Sequence, residues 1–253
     1  MIFDIQKASL TKRFSAWLLD VILLAVLAVG IGALLSDALG YDGYSEQVDA
    51  AYEKYEKQYG VQFDIDYETY TSLTPAEKEN YDAAQKALSQ DREAVQAYTM
   101  VMELTMVILS LGLLGAYLIL ELAVPLYLKN GQTVGKKVFG IALMRKDSVK
   151  VTPLMMFVRT VLGKYTLETM IPVLVIIMLV FNIAGLFSVL LIGLILLAQV
   201  ILLFANKNHC VIHDLMACTI PVDLSSQMIF ESPEALLEYK KQHHADHVTR
   251  QDY

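Results

Sequence analysis

The longest uncharged stretch of the chain, residues 170–204, restricts the fold more than any other feature of the sequence. A helix rises about 1.5 Å per residue, so one straight helix over this stretch would reach about 50 Å. The hydrocarbon core of a bilayer is only about 30 Å thick, and even strong tilt does not absorb that difference. The segment Asn182-Ile-Ala-Gly185 offers a turn, so we predict that the stretch folds into a hairpin of two membrane spans.

Two further apolar stretches, residues 16–35 and 98–127, are each long enough to cross a bilayer. The first is longer than the apolar core of a cleavable signal peptide, so it is interpreted as a retained anchor. With 55% hydrophobic and 19% charged residues, the chain is too apolar for an ordinary soluble domain. We therefore predict an all-α integral membrane protein with a four-helix transmembrane bundle.

The charges between these spans predict the orientation of the protein in the membrane. Residues 36–97 carry fourteen acids and five bases, whereas residues 128–150 carry six bases and one acid. Lys7, Lys12 and Arg13 precede the first span. Since basic loops stay in the cytoplasm, we predict a multi-pass protein of the cell membrane with both termini cytoplasmic and the acidic insertion outside. No basic surface suits nucleic acid, so that class of partner is excluded.

The chain therefore divides into four predicted segments. They are the N-terminus with the first span, the acidic exterior insertion, the rest of the bundle and the C-terminal tail, at residues 1–35, 36–97, 98–222 and 223–253.

Several helices are predicted outside the spans. In the insertion, residues 45–59 form one helix, and Thr74-Pro75-Ala-Glu77 begins another that continues through Ala94 into the second span as one rod. Residues 152–164 resemble an amphipathic interfacial helix whose Arg159 and Lys164 lie near the lipid headgroups. A final short helix begins at Ser232-Pro233.

Three ionisable residues interrupt the predicted spans: Asp20, Glu103 and Glu121. Each costs about 2.5–3.5 kcal/mol at mid-membrane, so such residues are pointers to function. Asp20 and Glu121 enter the membrane from the same side at similar depth, so we predict that they face each other and share a proton or bind a monovalent cation. Glu103, Ser110, Tyr117 and Glu121 form one polar stripe, which either lines an ion path or bonds to neighbouring helices.

Other motifs point to no enzyme, metal or cofactor. The segment Gly131-Gln-Thr-Val-Gly135-Lys136 is one residue too short for a phosphate-binding loop and lacks the Ser or Thr after the lysine. His209 and His213, with Cys210 and Cys218, have no established metal-ligand spacing, and reduced thiols are expected there. No catalytic triad or metalloprotease motif is present. We expect a non-enzymatic protein.

Three motifs, in this order along the chain, resemble the RDD family of membrane proteins, named for one arginine and two aspartates. They are Lys12-Arg-Phe-Ser-Ala-Trp-Leu-Leu-Asp20, Gly131-Gln-Thr-Val-Gly-Lys-Lys-Val-Phe-Gly-Ile141 and His213-Asp-Leu-Met-Ala-Cys-Thr219. Arg13, Asp20 and Asp214 match the naming positions, and Gly131, Gln132, Gly135 and Lys136 belong to the family loop. The resemblance covers residues 7–35 and 100–222, and the family often has glycine in place of Cys218.

The resemblance implies a compact helical membrane domain for which transport has been suggested, with cation/proton antiport proposed for some members. Arg13 and Asp214 would pair at the cytoplasmic boundary, and Asp20 would remain as the titratable group, assisted by Glu121.

Two hypotheses follow. The first is a small transporter that moves a monovalent cation or proton. The second is an accessory protein that binds a membrane or secreted partner through its acidic insertion, which is larger than a hairpin connection requires. Gly112 and Ala116 offer a small-residue face that is compatible with packing inside or between protomers, so a homo-oligomer is a further possibility.

Overall fold

The computed structural model of this chain describes residues 5–180, 185–205 and 207–251. Most of them are helical, and the helices follow one another as α1 (Leu10–Leu39), α2 (Tyr41–Tyr59), α3 (Tyr67–Ser72), α4 (Pro75–Gln90), α5 (Arg92–Tyr117), the π-helical segment π1 (Leu118–Ala123), α6 (Val124–Tyr127), α7 (Val134–Val138), α8 (Pro153–Phe157), the π-helical segment π2 (Val158–Met170), α9 (Ile171–Val180), α10 (Gly185–Ala205), α11 (Ile212–Met216) and α12 (Pro233–Gln251). Two strands, β1 (Ile141–Arg145) and β2 (Thr219–Asp223), complete the fold.

Within the described residues, three helical stretches are long and apolar enough to cross a membrane: Leu10–Leu39, Arg92–Tyr127 and Pro153–Leu179. A fourth apolar helix, α10, packs against α9, as a hairpin of spans requires. Most of the predicted turn at Asn182–Gly185 lies outside the described residues. The protein is thus a helical membrane protein, and the count of four spans stays a prediction.

The third long helix corrects the predicted interfacial helix at residues 152–164. Thr152 caps this helix and Pro153 begins it, as expected. The helix does not end at residue 164, however, because Val158 and Ile171 keep helical backbone angles, and it continues through π2 into α9. Its first half is therefore part of the same long helix as the apolar second half.

The acidic insertion is helical, as predicted, with one difference. α2 covers the predicted helix, and a capping box of Thr74 and Glu77 begins α4. The continuous rod into the second span is wrong, because α4 ends at Gln90 and Asp91 takes an extended conformation before α5. The Asp91 carboxylate accepts hydrogen bonds from Tyr55 at 2.9 Å and Lys54 at 3.1 Å, and these bonds hold its pKa near 2.

The two-stranded antiparallel sheet was not predicted. β1 and β2 pair with Ile141 opposite Asp223 and Arg145 opposite Thr219. Their side chains, together with the Cys210 thiol, form one of the buried apolar clusters. Burial raises the pKa of Cys210 to about 11, so this free thiol is inert. The sheet ties the loop before β1 to the segment after the last apolar helix.

The chain separates into two compact units. One unit comprises the described residues up to Ala28 together with those from Leu113 onward, and it contains the sheet and α6–α12. The other unit, Val29–Gly112, contains α2, α3 and α4, with α2 packed on α4. Gly112 and Ala116 are both buried within the protomer. That burial favours packing inside the protomer for this small-residue face.

Candidate functional site

Charged side chains gather in the unit that contains the sheet. We call them the charged cluster, which consists of Arg13, Asp20, Glu121, Lys136, Arg159, Lys164, Glu168, His213 and Asp214.

Asp20 of α1 holds the loop that follows the second long helix. Its Oδ2 accepts a hydrogen bond from the Thr133 hydroxyl at 2.5 Å, and its Oδ1 accepts one from the Gly135 N–H at 2.7 Å. Thr133 also caps α7, since its hydroxyl accepts a hydrogen bond from the Lys136 N–H. Asp20 therefore faces protein, and its carboxylate is held in one position by loop 131–136.

The glycines of this loop allow its close approach to α1 and β1. A Cβ on Gly135 would lie 2.3 Å from the Ala16 carbonyl oxygen and 2.8 Å from Asp20 Oδ1. Gly131 has a φ of 62°, and a Cβ there would lie 2.9 Å from the Leu143 Cβ. Gln132 Nε2 donates to the Ile141 carbonyl at 2.8 Å. Gly131, Gln132 and Gly135 thus position the loop, whereas Lys136 contributes a positive charge to the charged cluster.

Lys136 interacts electrostatically with both predicted carboxylates, those of Asp20 and Glu121. Its Nζ lies 3.7 Å from Asp20 Oδ2 and donates to Thr133 Oγ1 at 3.2 Å. Burial and repulsion by Lys164 and Arg159 lower its pKa, attraction to Glu121 and Asp20 opposes both effects, and the resulting pKa is about 8. Lys136 is consequently a cation at pH 7 that gives up its proton at a lower pH than an ordinary lysine does.

Asp214 and Arg159 form the most deeply buried ion pair of the charged cluster. Arg159 Nε and Nη2 both donate to Asp214 Oδ1 at 3.0 Å, and these side chains are 2% and 1% exposed. Arg13 Nη2 lies 3.7 Å from Asp214 Oδ2, the pairing that the family resemblance implies. Burial alone would raise the pKa of Asp214, but the charges of Arg159 and Arg13 hold this pKa below its ordinary value.

The Arg159 side chain is therefore buried in the protein and does not point outward as the predicted headgroup position requires. Because its helix continues as a long apolar helix, the side chain turns into the protein, where Asp214 compensates its charge.

Glu121 is paired with Lys164 and not with Asp20. The Lys164 Nζ lies 2.5 Å from Glu121 Oε1, and Arg159 Nη1 lies 3.8 Å from Oε2. Neither Arg159 Nη1 nor Glu121 Oε2 has a hydrogen-bond partner among the described residues, although both atoms are buried. The predicted arrangement of two facing carboxylates with a shared proton is thus replaced by two separate ion pairs, and Lys136 interacts with both.

Glu168 and His213 complete the charged cluster, and sequence reasoning assigned neither of them to the site. His213 Nδ1 lies 2.7 Å from Glu168 Oε2, and the His213 N–H donates to Oε1 at 3.0 Å. Burial and the Arg159 charge lower the pKa of His213, so the ring is neutral at pH 7. Gly163 permits this contact, because a Cβ there would lie 2.6 Å from the His213 Cβ.

The four residues of the predicted polar stripe on the second long helix have different environments. The Tyr117 hydroxyl bonds to Thr169 Oγ1 at 2.7 Å, and Ser110 Oγ donates to the Val107 carbonyl of its own helix. Glu103 is exposed. Only Glu121 of the stripe belongs to the charged cluster, and Tyr117 connects helices.

A cavity of about 690 Å³ adjoins the charged cluster. Its charged or titratable lining consists of Arg13, Asp20, Lys136, Arg159, Lys164, Glu168, His213 and Asp214. Its apolar wall includes Trp17 of α1 and Leu203 and Phe204 of α10. Four of the predicted site residues, Arg13, Asp20, Lys136 and Asp214, therefore share one cavity.

Comparison with known proteins adds one finding. The model of the RDD family matches residues 7–218, which include every member of the charged cluster. No curated protein and no solved structure matches the chain.

Proposed function

Since this chain belongs to the RDD family of membrane proteins, we propose that it is a small transport module whose charged cluster takes up and releases a proton. The observation that carries the proposal is the cavity of about 690 Å³ with ionisable side chains from two long apolar helices, α7 and α11 around it. The role is non-enzymatic, as the sequence lacks a recognised nucleophile and base.

The energetics support a functional role for the charged cluster. Buried ion pairs add little stability over apolar side chains of the same size, since desolvation offsets their attraction. A membrane domain that only needed to pack would be as stable with apolar residues at these positions. Four carboxylates and four lysine or arginine side chains in one cluster beside a cavity are therefore best explained by a task that needs charge.

The contacts favour a proton as the coupling ion. Asp20, Glu121 and Asp214 each have a lysine or arginine nitrogen within 4 Å, and Glu168 contacts the His213 ring at 2.7 Å, so none of them is a bare site for a monovalent cation. The Asp20–Lys136 pair has the longest separation among these nearest partners, 3.7 Å, and Lys136 titrates near neutrality. Proton release from Lys136 would leave Asp20 uncompensated, which couples proton movement to a change at the loop.

The test is proton movement in proteoliposomes that contain the purified chain and an internal pH dye. Gradients of sodium chloride, potassium chloride and an organic anion, hexanesulfonate, are imposed in turn. At least one of them should change the internal pH faster than in protein-free vesicles. Asp20→Asn should abolish this excess rate, because it removes the charge that faces Lys136.

Asp37→Asn is the matched control, because it makes the same change on the exposed end of α1. It should retain the wild-type rate. Wild-type vesicles that behave like protein-free vesicles under every gradient would exclude the proposed function, and an active Asp20→Asn variant would exclude Asp20.

The membrane topology that we propose has four spans, cytoplasmic termini and an exterior insertion, in the cell membrane. It is supported by the basic segment 128–150 and by the acidic residues 36–97.

A second candidate function rests on the unit Val29–Gly112. Its α2 and α4 enclose a groove of about 190 Å³ lined by Val48, Tyr52 and Leu88 among others. Tyr52, Phe63 and Tyr81 pack as an aromatic group beside them. A folded extramembrane unit of this kind suits an accessory protein that binds a membrane or secreted partner.

A further inference from the structure

The cavity beside the charged cluster presents more positive than negative charge to whatever enters it. Among the described residues that line it, four are lysine or arginine and three are carboxylates, and His213 is neutral at pH 7. The remaining carboxylate, Glu121, is buried behind Lys164 and does not line the cavity. The lining therefore has an excess of one positive charge.

The same lining also has hydrogen-bond donors to spare. Lys136 Nζ donates to one neutral hydroxyl, that of Thr133, although an ammonium group has three N–H donors. Lys164 Nζ, likewise an ammonium group, donates to Glu121 Oε1. An entering group that accepts hydrogen bonds would satisfy these donors, whereas a cation would be repelled.

The opposite wall of the cavity is apolar. The Trp17 and Phe204 side chains are 54% and 67% exposed, and both line the cavity with Leu203. A volume of about 690 Å³ lies within the range of about 300–1,000 Å³ that is usual for pockets that hold small organic ligands. The cavity thus combines a cationic, donor-rich end with an apolar side wall.

We propose that this cavity binds an amphipathic organic anion with a single negative charge, its head on Lys136 and Lys164 and its tail against Trp17, Leu203 and Phe204. The proposal rests on the proposed function, since it names the substrate class of the transport site. A monoanion balances the excess charge of the lining, and its oxygen atoms accept from donors that are otherwise unused. The head group comes either from a membrane lipid or from a soluble amphiphile.

The sequence provides its own reporter for the test. Trp17 is the chain's single tryptophan, so all tryptophan emission comes from the cavity wall. The purified full chain, in phosphatidylcholine nanodiscs whose scaffold protein lacks tryptophan, is titrated with hexanesulfonate, which is a monoanion at every pH used. A saturable change in Trp17 emission is expected. Hexyltrimethylammonium and hexyl glucoside, with the same tail and a cationic or neutral head, should give none.

Two variants test the cationic end. Lys136→Gln should weaken hexanesulfonate binding by about tenfold, because a hydrogen bond to a charged group is lost. Lys137→Gln is the matched control, since Lys137 is the exposed neighbour and loses the same charge. It should leave the binding midpoint unchanged. The melting temperature of both variants is measured to verify that they are folded.

The source of the anion follows from a second set of nanodiscs that contain phosphatidylglycerol. Weaker apparent binding of hexanesulfonate there identifies a lipid competitor, and unchanged binding identifies a soluble amphiphile; both results uphold an anion site. The proposal is overturned if the three hexyl compounds act alike, or if Lys136→Gln binds like wild type. Binding without proton movement would refute only transport, and proton movement without binding would refute only the anion site.

Discussion

Single residues of loop 131–136 determine whether the charged cluster can form. Asp20 receives its two hydrogen bonds from Thr133 and Gly135 only because the loop lies against α1 at the position of Ala16. Glycine is needed at position 135 because the Ala16 carbonyl and the Asp20 carboxylate occupy the space of a side chain. Gly135 thus permits the contact, whereas Asp20 carries the charge.

Gly135→Ala tests this contact. The added methyl group would lie 2.3 Å from the Ala16 carbonyl oxygen, so α1 and the loop must separate. Overpacking of this kind costs about 2 kcal/mol and should lower the unfolding midpoint by about 4–8 °C. Gly193→Ala is the control, because a Cβ there meets nothing within 4 Å. Equal midpoints for the two variants would show that the loop does not lie against α1 in this way.

The sequence predicted part of the candidate site, and the reason it missed the rest is physical. Asp20 and Glu121 were recognisable as charges within apolar stretches, and the family motifs added Arg13, Lys136 and Asp214. A basic residue among apolar ones is equally compatible with a lipid headgroup and with a buried carboxylate, so the sequence pattern does not reveal the true environment of Arg159. Only its partner Asp214, 55 residues away along the chain, distinguishes the two environments. Residues 153–179, taken as one span, would have marked Arg159, Lys164 and Glu168 as intramembrane charges.

At the scale of elements, helices were easier to predict than their ends and pairings. The apolar stretches and the capping box at Thr74 and Glu77 gave α1, α4 and α10 directly. The break at Asp91 depends on hydrogen bonds from Lys54 and Tyr55, which a local pattern does not reveal. The β1–β2 pairing is likewise long-range, since α8, π2, α9, α10 and α11 lie between the two strands along the chain.

Deletion of the acidic insertion distinguishes the two candidate functions. Replacement of residues 40–95 by a short glycine-serine linker removes α2, α3 and α4 but leaves every residue of the charged cluster. If the chain is a transport module, proton movement in proteoliposomes should persist at the wild-type rate. A deleted chain that is folded by its melting curve yet has no proton movement would favour the insertion as the functional part.

The orientation of the elements can be tested with an impermeant thiol reagent on intact cells. In a chain with Cys210 and Cys218 replaced by alanine, Asp64→Cys should be labelled from outside. Asp147→Cys should be labelled only after the cells are opened. Both positions are exposed, so accessibility in the folded protein does not explain a difference. Labelling of Asp147→Cys in intact cells would reverse the predicted topology.

At the scale of the whole molecule, the proposed proton movement through the membrane domain depends on one titrating contact, between Lys136 and Asp20. The charged cluster is neutral as a set when Lys136 is protonated and His213 is not, with four lysine or arginine side chains and four carboxylates. Loss of the Lys136 proton leaves one negative charge in excess, which the surrounding apolar helices cannot solvate. A change in protonation therefore favours a different arrangement of the loop on α1, or the departure of a bound anion.

The most direct test of this account is the pH dependence of proton movement in wild-type and Lys136→Arg proteoliposomes. Lys136 is buried beside Asp20 of α1, Glu121 of π1 and Arg159 and Lys164 of π2, and burial together with the field of these charges gives it a pKa of about 8. Lys136 is a cation below this pH and neutral above it, so the wild-type rate should fall through about pH 8. Arginine keeps its charge throughout this range, so the variant should lack that fall and lose proton coupling. A wild-type rate that is constant between about pH 6.5 and 9.5, or identical profiles for the two proteins, would contradict a proton site at Lys136.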